Sequence, residues 1–161
     1  MAADKATLSI SASLLPDEIK TSVGGTTVYD LNDYGDNLWA YSLTIVGASS
    51  EDAILASVPY LGQGTAEEGA TASANNTDDV LFFFVKHTGT TDGSTSTTAT
   101  LAINLGGTAA TGAAAGDIVL EPGECFGARM GTNTKIEDIN ADSSSGNIQA
   151  MVFAICDDGG V

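Results

Sequence analysis

The longest apolar run of the chain predicts a β-strand. It covers residues 80–87, with the sequence VLFFFVKH, and contains three of the five phenylalanines. Turn-forming residues flank it, with Asp78-Asp79 before it and Thr88-Gly89 after it. An aromatic and β-branched run bounded in this way is typical of a strand.

The run is apolar on both faces of the predicted strand. With strict alternation, one face would carry Val80, Phe82 and Phe84, and the other Leu81, Phe83 and Val85. A strand with one solvated face alternates apolar and polar residues, so we expect this one to be covered on both sides. We expect one face to pack internally against Trp39 and the last strand. The other face should lie under a neighbouring chain or the N-terminal segment.

A second strand is predicted over residues 38–46. Its odd positions are large and apolar, and its even positions are small or polar: Trp39, Tyr41, Leu43 and Ile45 against Ala40, Ser42 and Thr44. This alternation is typical of a strand with one solvated face. We therefore expect the row with the only tryptophan to pack against the central run.

Further short strands are predicted over residues 6–14, 98–105, 117–120, 125–130 and 147–156. The spacing of 80–87 and 98–105 suggests an antiparallel hairpin closed by a long loop. Pro122-Gly123 predicts a tight turn, because proline sets φ and glycine accepts a positive φ. Gly24-Gly25 predicts another turn. Residues 49–55 could form a helical turn, or a strand could run through 54–58.

These elements predict an all-β protein. Seven or eight short strands are joined by long connections, and residues 62–77 and 106–116 are rich in Gly, Ala and Thr. No long helix is predicted. The fold class that follows is an antiparallel β-sandwich of jelly-roll type. We expect one domain over 1–161, with residues 1–25 as an extended arm.

The charge balance limits the partners. The chain has 21 acidic and 5 basic residues, a formal net charge of −16. Binding nucleic acid or an anionic membrane requires clustered Lys and Arg, so neither partner is expected. Strong acidity instead favours solubility and mutual repulsion between copies. The first residues lack the pattern of a secretory signal, and no segment approaches the ~20 apolar residues of a membrane span.

Candidate chemistry is sparse. The single histidine, His87, lies outside any nucleophile motif, so a structural role is expected. Cys125 and Cys156 are expected to be free buried thiols, with a bridge between adjacent strands as the alternative. Asp30, Asp33 and Asp36 surround Gly35 and weakly suggest a calcium loop, but an Asx-rich turn is favoured. No catalytic, cofactor-binding or metal-binding residue is predicted, and we expect no enzyme activity.

Four segments give the chain a family resemblance: residues 14–20 (LLPDEIK), 39–41 (WAY), 81–89 (LFFFVKHTG) and 118–124 (IVLEPGE). The sequence resembles structural proteins encoded by tailed phages of marine bacteria. The resemblance implies a decoration or cement protein made in the host cytoplasm and located on the capsid surface of the virion. Its implied partners are the major capsid protein and further copies of itself, often as trimers.

Two function classes follow. The first is a virion structural protein that binds the outer capsid surface, with Phe82, Phe83, Phe84, Trp39 and Phe153 as interface or core candidates. The second is a carbohydrate- or receptor-binding β-sandwich of a phage tail or fibre. It would need an exposed aromatic platform, for which the candidates are Trp39, Tyr29, Tyr34 and Tyr60.

Overall fold

A computed structural model describes residues 5–13, 22–30, 37–48, 52–58, 60–61, 76–106, 116–131 and 133–157. The chain divides into two compact units, Met1–Tyr34 and Gly35–Val161, and each is described by itself. The expected single domain over 1–161 with an arm over 1–25 stays a prediction.

The described residues form antiparallel strands and one turn of 3-10 helix. In chain order, the strands β1 to β11 are Lys5–Ser13, Ser22–Asp30, Asn37–Gly47, Asp52–Ala53, Tyr60–Leu61, Asp79–His87, Leu101–Asn104, Ile118–Leu120, Cys125–Arg129, Asn140–Ser143 and Asn147–Asp157. The 3-10 turn is Ile136–Asp138, between β9 and β10. No helix in the described part of the chain is both long and apolar enough to cross a membrane.

The unit Met1–Tyr34 contains a two-stranded ribbon. β1 and β2 pair from Lys5 opposite Asp30 to Ser13 opposite Ser22. Gly24-Gly25 lies within β2, so the predicted turn there is wrong. A Cβ on Gly24 would lie 3.2 Å from the carbonyl oxygen of Ile10, so this glycine lets β1 approach closely.

The unit Gly35–Val161 is a sandwich of two antiparallel sheets. The five-stranded sheet has the order β5-β3-β11-β6-β9, and the four-stranded sheet has the order β4-β10-β7-β8. Apart from the two-residue β5, the strands pair from the ends inward: β3 with β11, β4 with β10, β6 with β9, and β7 with β8. One long hairpin folded over on itself gives this jelly-roll arrangement. The predicted fold class is confirmed.

The hydrophobic core lies between the two sheets. Phe83 is its largest fully buried side chain. The inward-facing residues of the central strands supply most of the rest: Val80 and Val85 of β6, Ile148, Ala150, Val152 and Ala154 of β11, and Leu101 and Ile103 of β7. Side chains from both sheets therefore interdigitate in one core, as in other aligned sandwiches.

A bulge in β6 changes the predicted faces of the central run. Ile155 of β11 lies opposite Phe82, but the next residue, Cys156, lies opposite Val80. Leu81 is the extra residue, and an extra residue reverses the alternation beyond it. Val80 therefore belongs to the core with Phe83 and Val85, whereas Phe82 and Phe84 share the other face as predicted.

The predicted hairpin between residues 80–87 and 98–105 is wrong. β6 lies in the five-stranded sheet and β7 in the four-stranded sheet, so the loop between them crosses the sandwich. The turn at Pro122-Gly123 is confirmed: Gly123 has φ +90°, and the Glu124 N–H donates to the Glu121 carbonyl at 3.0 Å. This turn also crosses between sheets. After β3, Asp52–Ala53 forms β4 and residues 54–57 form a turn, so the predicted strand through 54–58 is wrong. Of the alternative helical turn over 49–55, residues 52–53 are extended instead, and residues 49–51 lie outside the described residues.

Candidate functional site on the five-stranded sheet

The large residues of β3 face away from the core. Ala40 and Val46 are core residues, whereas Tyr41, Leu43 and Ile45 are 41%, 51% and 49% exposed. The prediction that this row packs internally is therefore wrong. A period of two shows that a strand has two different faces, but it does not show which face is inward.

The strand register gathers these side chains into one surface. Three rows run across β3, β11 and β6: Leu43–Met151–Lys86, Tyr41–Phe153–Phe84 and Trp39–Ile155–Phe82. We call this surface the outer face. Ile45 and Gln149 continue it at one end, and Arg129 of β9 lies beside Phe82. The outer face is therefore a broad, mostly apolar side of the five-stranded sheet.

An aromatic cluster lies towards one end of the outer face, around the row Trp39–Ile155–Phe82. The Trp39 and Phe153 ring centroids are 4.8 Å apart, and the Phe82 and Phe153 centroids are 6.2 Å apart in an edge-on arrangement. Such contacts add to simple burial of apolar area. Phe82 and Ile155 are buried, whereas Leu43 and Ile45 are exposed. Exposure thus increases along β3 from the half-buried Trp39 towards Leu43 and Ile45.

The outer face carries charges of both signs. Lys86 and Arg129 are both exposed, and both project on the side of Phe82 and Phe84. Asp79 and Asp157 pair at one end of the sheet, where Lys135 lies 3.9 Å from the Asp79 carboxylate. The whole chain carries a net charge of −16, whereas the outer face carries both signs and most of its residues are apolar.

The five predicted interface or core residues divide between two locations. Phe83 is a core residue, whereas Phe82, Phe84, Trp39 and Phe153 lie on the outer face. Tyr41, Leu43 and Ile45 were not predicted from the sequence as exposed residues. A signal was present in β3, since the opposite row of Ala, Ser and Thr contains no charged residue and could be buried. The expected cover from a neighbouring chain or the N-terminal segment stays a prediction.

His87 is fully buried and has a structural role. Its ring Nε2 donates to the Ala99 carbonyl at 2.9 Å, and its Nδ1 accepts the Gly89 N–H at 2.9 Å. Together these two bonds require the neutral tautomer with its proton on Nε2. Both ring nitrogens are thus occupied by main-chain partners.

The loop after His87 is held by its own side chains. Asp92 Oδ1 accepts the N–H groups of Thr95 and Ser94 at 2.8 and 2.9 Å, and Oδ2 accepts the Thr95 hydroxyl at 3.1 Å. The main-chain bonds from Thr95 and Ser94 stabilise the carboxylate, and they lower the pKa of Asp92 from 3.8 to about 2. The acceptor groups of Asp92 are used within the loop.

The remaining candidate groups are scattered. No disulfide joins Cys125 and Cys156; Cys156 is buried as expected, but Cys125 is exposed on β9, contrary to prediction. Among the described residues, no cluster of three or more His, Cys, Asp or Glu could hold a metal ion. Asp33 and Asp36 lie outside the described residues, as does the side chain of Asp30, so the suggested calcium loop stays untested.

A polar cleft of about 630 Å³ opens beside the inward face of β3. Its lining includes small hydroxyl, amide and carboxylate side chains: Ser42, Thr44, Ser57, Asn76, Glu137 and Asn140. Glu137 is exposed, and Asn140 donates to the Glu137 carbonyl at 3.1 Å. These side chains form a polar margin of the sandwich.

No protein-family model, curated protein or solved structure matches this chain.

Proposed function

We propose that this chain is a non-enzymatic structural protein of a virion, which binds the outer surface of the capsid and stabilises or decorates the head. The observation that carries the proposal is the outer face. Tyr41, Leu43 and Ile45 are about half exposed, and they adjoin the partly buried Met151 and Phe153. Monomeric soluble proteins rarely expose a contiguous apolar patch of this kind unless it binds something.

The charge pattern supports the same proposal. A net charge of −16 opposes non-specific association of free copies in solution. Lys86, which is exposed on the outer face, would pair with a carboxylate at the rim of an apolar site on the major capsid protein. The jelly roll adds support by analogy only, because this architecture occurs in viral capsid and lectin domains alike.

Two experiments test the proposal. The first is mass spectrometry of purified heads and tails of the phage that encodes the chain. We expect the protein in heads, in a copy number proportional to the major capsid protein. Its absence from heads would contradict the proposal.

The second experiment is cosedimentation of the protein with empty heads. Met151→Lys places a charge in the middle of the outer face, and we expect it to reduce shell binding at least about tenfold, because burying an unpaired charge is costly. Val119→Lys is the matched control, since Val119 is 46% exposed on β8 of the other sheet. Equal binding by both variants would show that the outer face is not the contact.

One observation favours the second candidate, a carbohydrate-binding module. Tyr41 is exposed and lies next to the half-buried Phe153, which contacts Trp39. A glycan stacking there would change Trp39 fluorescence, and Tyr41→Ala would remove the change. An emission spectrum unaffected by a panel of glycans would count against this candidate. Of the other platform candidates, Tyr34 and the side chains of Tyr29 and Tyr60 lie outside the described residues.

A further inference from the structure

Among the described strands, only β5 pairs with the outer edge of β3, and it does so at one end. β5 pairs with β3 only at Trp39 and Ala40, and in the described part of the chain no other strand lies on that side. At the far end of β3, the Ala48 N–H donates to the Gly146 carbonyl at 2.9 Å. Main-chain groups alternate in direction along a strand, so even-numbered residues point towards β11 and odd-numbered residues towards the edge. Tyr41, Leu43 and Ile45 therefore present their N–H and C=O groups at the edge.

This edge has none of the features that normally prevent pairing between proteins. Asn37–Gly47 contains no charged residue and no proline. The other edge strands of the sandwich differ: β4 and β5 have two residues each, β8 has three residues between Asp117 and Glu121, and β9 carries Arg129 and follows Glu124. Natural proteins usually block sheet edges with charge, proline or short length. In such an acidic chain, we expect a long uncharged edge to pair with another strand.

We propose that two copies of this chain join edge to edge by antiparallel pairing of residues 41–45 of β3. Leu43 lies opposite Leu43 of the second copy, at the two-fold axis. β5 sets the limit of the paired segment, because it occupies the edge at Ala40. About six main-chain hydrogen bonds would form between the odd-numbered residues.

The sequence of β3 is complementary to itself in this register. On the outer face, Tyr41 lies opposite Ile45 of the second copy, an aromatic and β-branched pair of the kind that stabilises sheets. On the inward face, Ser42 lies opposite Thr44 of the second copy, so two hydroxyl groups meet. Every cross-strand pair in the segment is therefore a favourable one, and none contains a charge.

The symmetry has a consequence for the outer face. An antiparallel edge pair has its two-fold axis perpendicular to the sheet, so both outer faces lie on the same side. The dimer would present one continuous apolar surface twice as wide. The pairing itself does not depend on what that surface binds, and it is two-fold, unlike the trimers implied by the family resemblance.

Sedimentation velocity over a range of concentrations tests the proposal. We expect wild-type protein to form dimers, and more of them at high salt than at low salt, because salt screens the repulsion between two copies of charge −16. Leu43→Lys should weaken self-association at least about tenfold, since it places like charges opposite each other. Leu43→Ile and Val119→Lys should behave as wild type. Wild-type protein that stays monomeric at all salt concentrations would overturn the proposal.

Two further variants locate the contact. Leu43→Cys, in a Cys125→Ser background, should cross-link to itself with a short bismaleimide, whereas Val119→Cys in the same background should not. Met151→Lys should leave the dimer intact while it reduces shell binding, because Met151 lies on the outer face but away from the edge. If Met151→Lys dissociates the dimer as fully as Leu43→Lys does, self-association uses the outer face, and the edge pairing is wrong. Loss of shell binding alone bears only on the proposed function.

Discussion

His87 shows at the residue scale how one buried polar side chain connects the two halves of the sandwich. Its ring bonds to Ala99, just before β7 in the four-stranded sheet. Its main chain bonds to the turn between β8 and β9, through the carbonyl of Glu124 and the N–H of Gly123. A histidine at this position therefore satisfies groups that no apolar side chain of similar size could satisfy.

Replacing the His87 ring should destabilise the fold. We expect His87→Ala to lower the free energy of unfolding by about 2–4 kcal/mol, because it leaves a cavity and two unsatisfied main-chain groups. Urea unfolding followed by Trp39 fluorescence measures the change. Lys86→Ala is the control: its side chain is exposed, and we expect a change within about 0.5 kcal/mol. A loss below about 1 kcal/mol for His87→Ala would contradict the structural role.

The lowered pKa of Asp92 predicts how the stability of its loop depends on pH. Its pKa is lowered from 3.8 to about 2 in the folded loop, so its contribution to stability is fully present above pH 3.8 and is lost as the pH falls through about 2. We expect the carboxyl carbon of Asp92 to titrate near pH 2 in NMR spectra. In Asp92→Ala, the amides of Ser94 and Thr95 should exchange with solvent faster at neutral pH. Titration near 3.8, or unchanged exchange, would contradict the hydrogen-bonded loop.

At the scale of the element, β6 places adjacent phenylalanines in different environments. Phe83 is fully buried between the sheets, whereas Phe84 is half-buried on the outer face. We expect Phe83→Ala to lower the free energy of unfolding by about 3–5 kcal/mol and Phe84→Ala by about 1–2 kcal/mol. Urea unfolding of the two variants compares them directly. Equal losses would mean that the outer face is covered as completely as the core.

The positions of most strands could be predicted from the sequence. Which face of each strand is buried, and which strand it pairs with, could not. Period-two patterns located β1, β3 and β7, apolar runs located β6 and β11, and Pro122-Gly123 gave its turn correctly. The faces of β3 were reversed because Ala, Ser and Thr fit a crowded interior as well as a surface. The bulge at Leu81 leaves no pattern in an all-apolar run, and the crossing from β6 to β7 depends on contacts distant in sequence. The outer face was missed for the same reasons.

At the scale of the whole molecule, net charge opposes the association that the outer face and the β3 edge favour. The isoelectric point calculated from the sequence is about 4.1, so the charge of −16 disappears as the pH falls towards 4. We expect light scattering to rise steeply as the pH is lowered from 7 to about 4.5, because repulsion between copies decreases. Leu43→Lys and Met151→Lys should scatter less. Circular dichroism at each pH confirms that the protein is folded, and constant scattering would contradict the prediction.

The nested pairing of strands also determines when the protein can fold. β11 lies between β3 and β6, yet it is made after every other strand of the sandwich. During synthesis the five-stranded sheet cannot form until Asn147–Asp157 has left the ribosome. For most of that time β3 lacks β11, its main pairing partner. Contacts so distant in sequence make folding slow, on the order of milliseconds to seconds. In the nascent chain, an uncharged and largely apolar strand is therefore exposed for some time, and we expect chaperones to bind it.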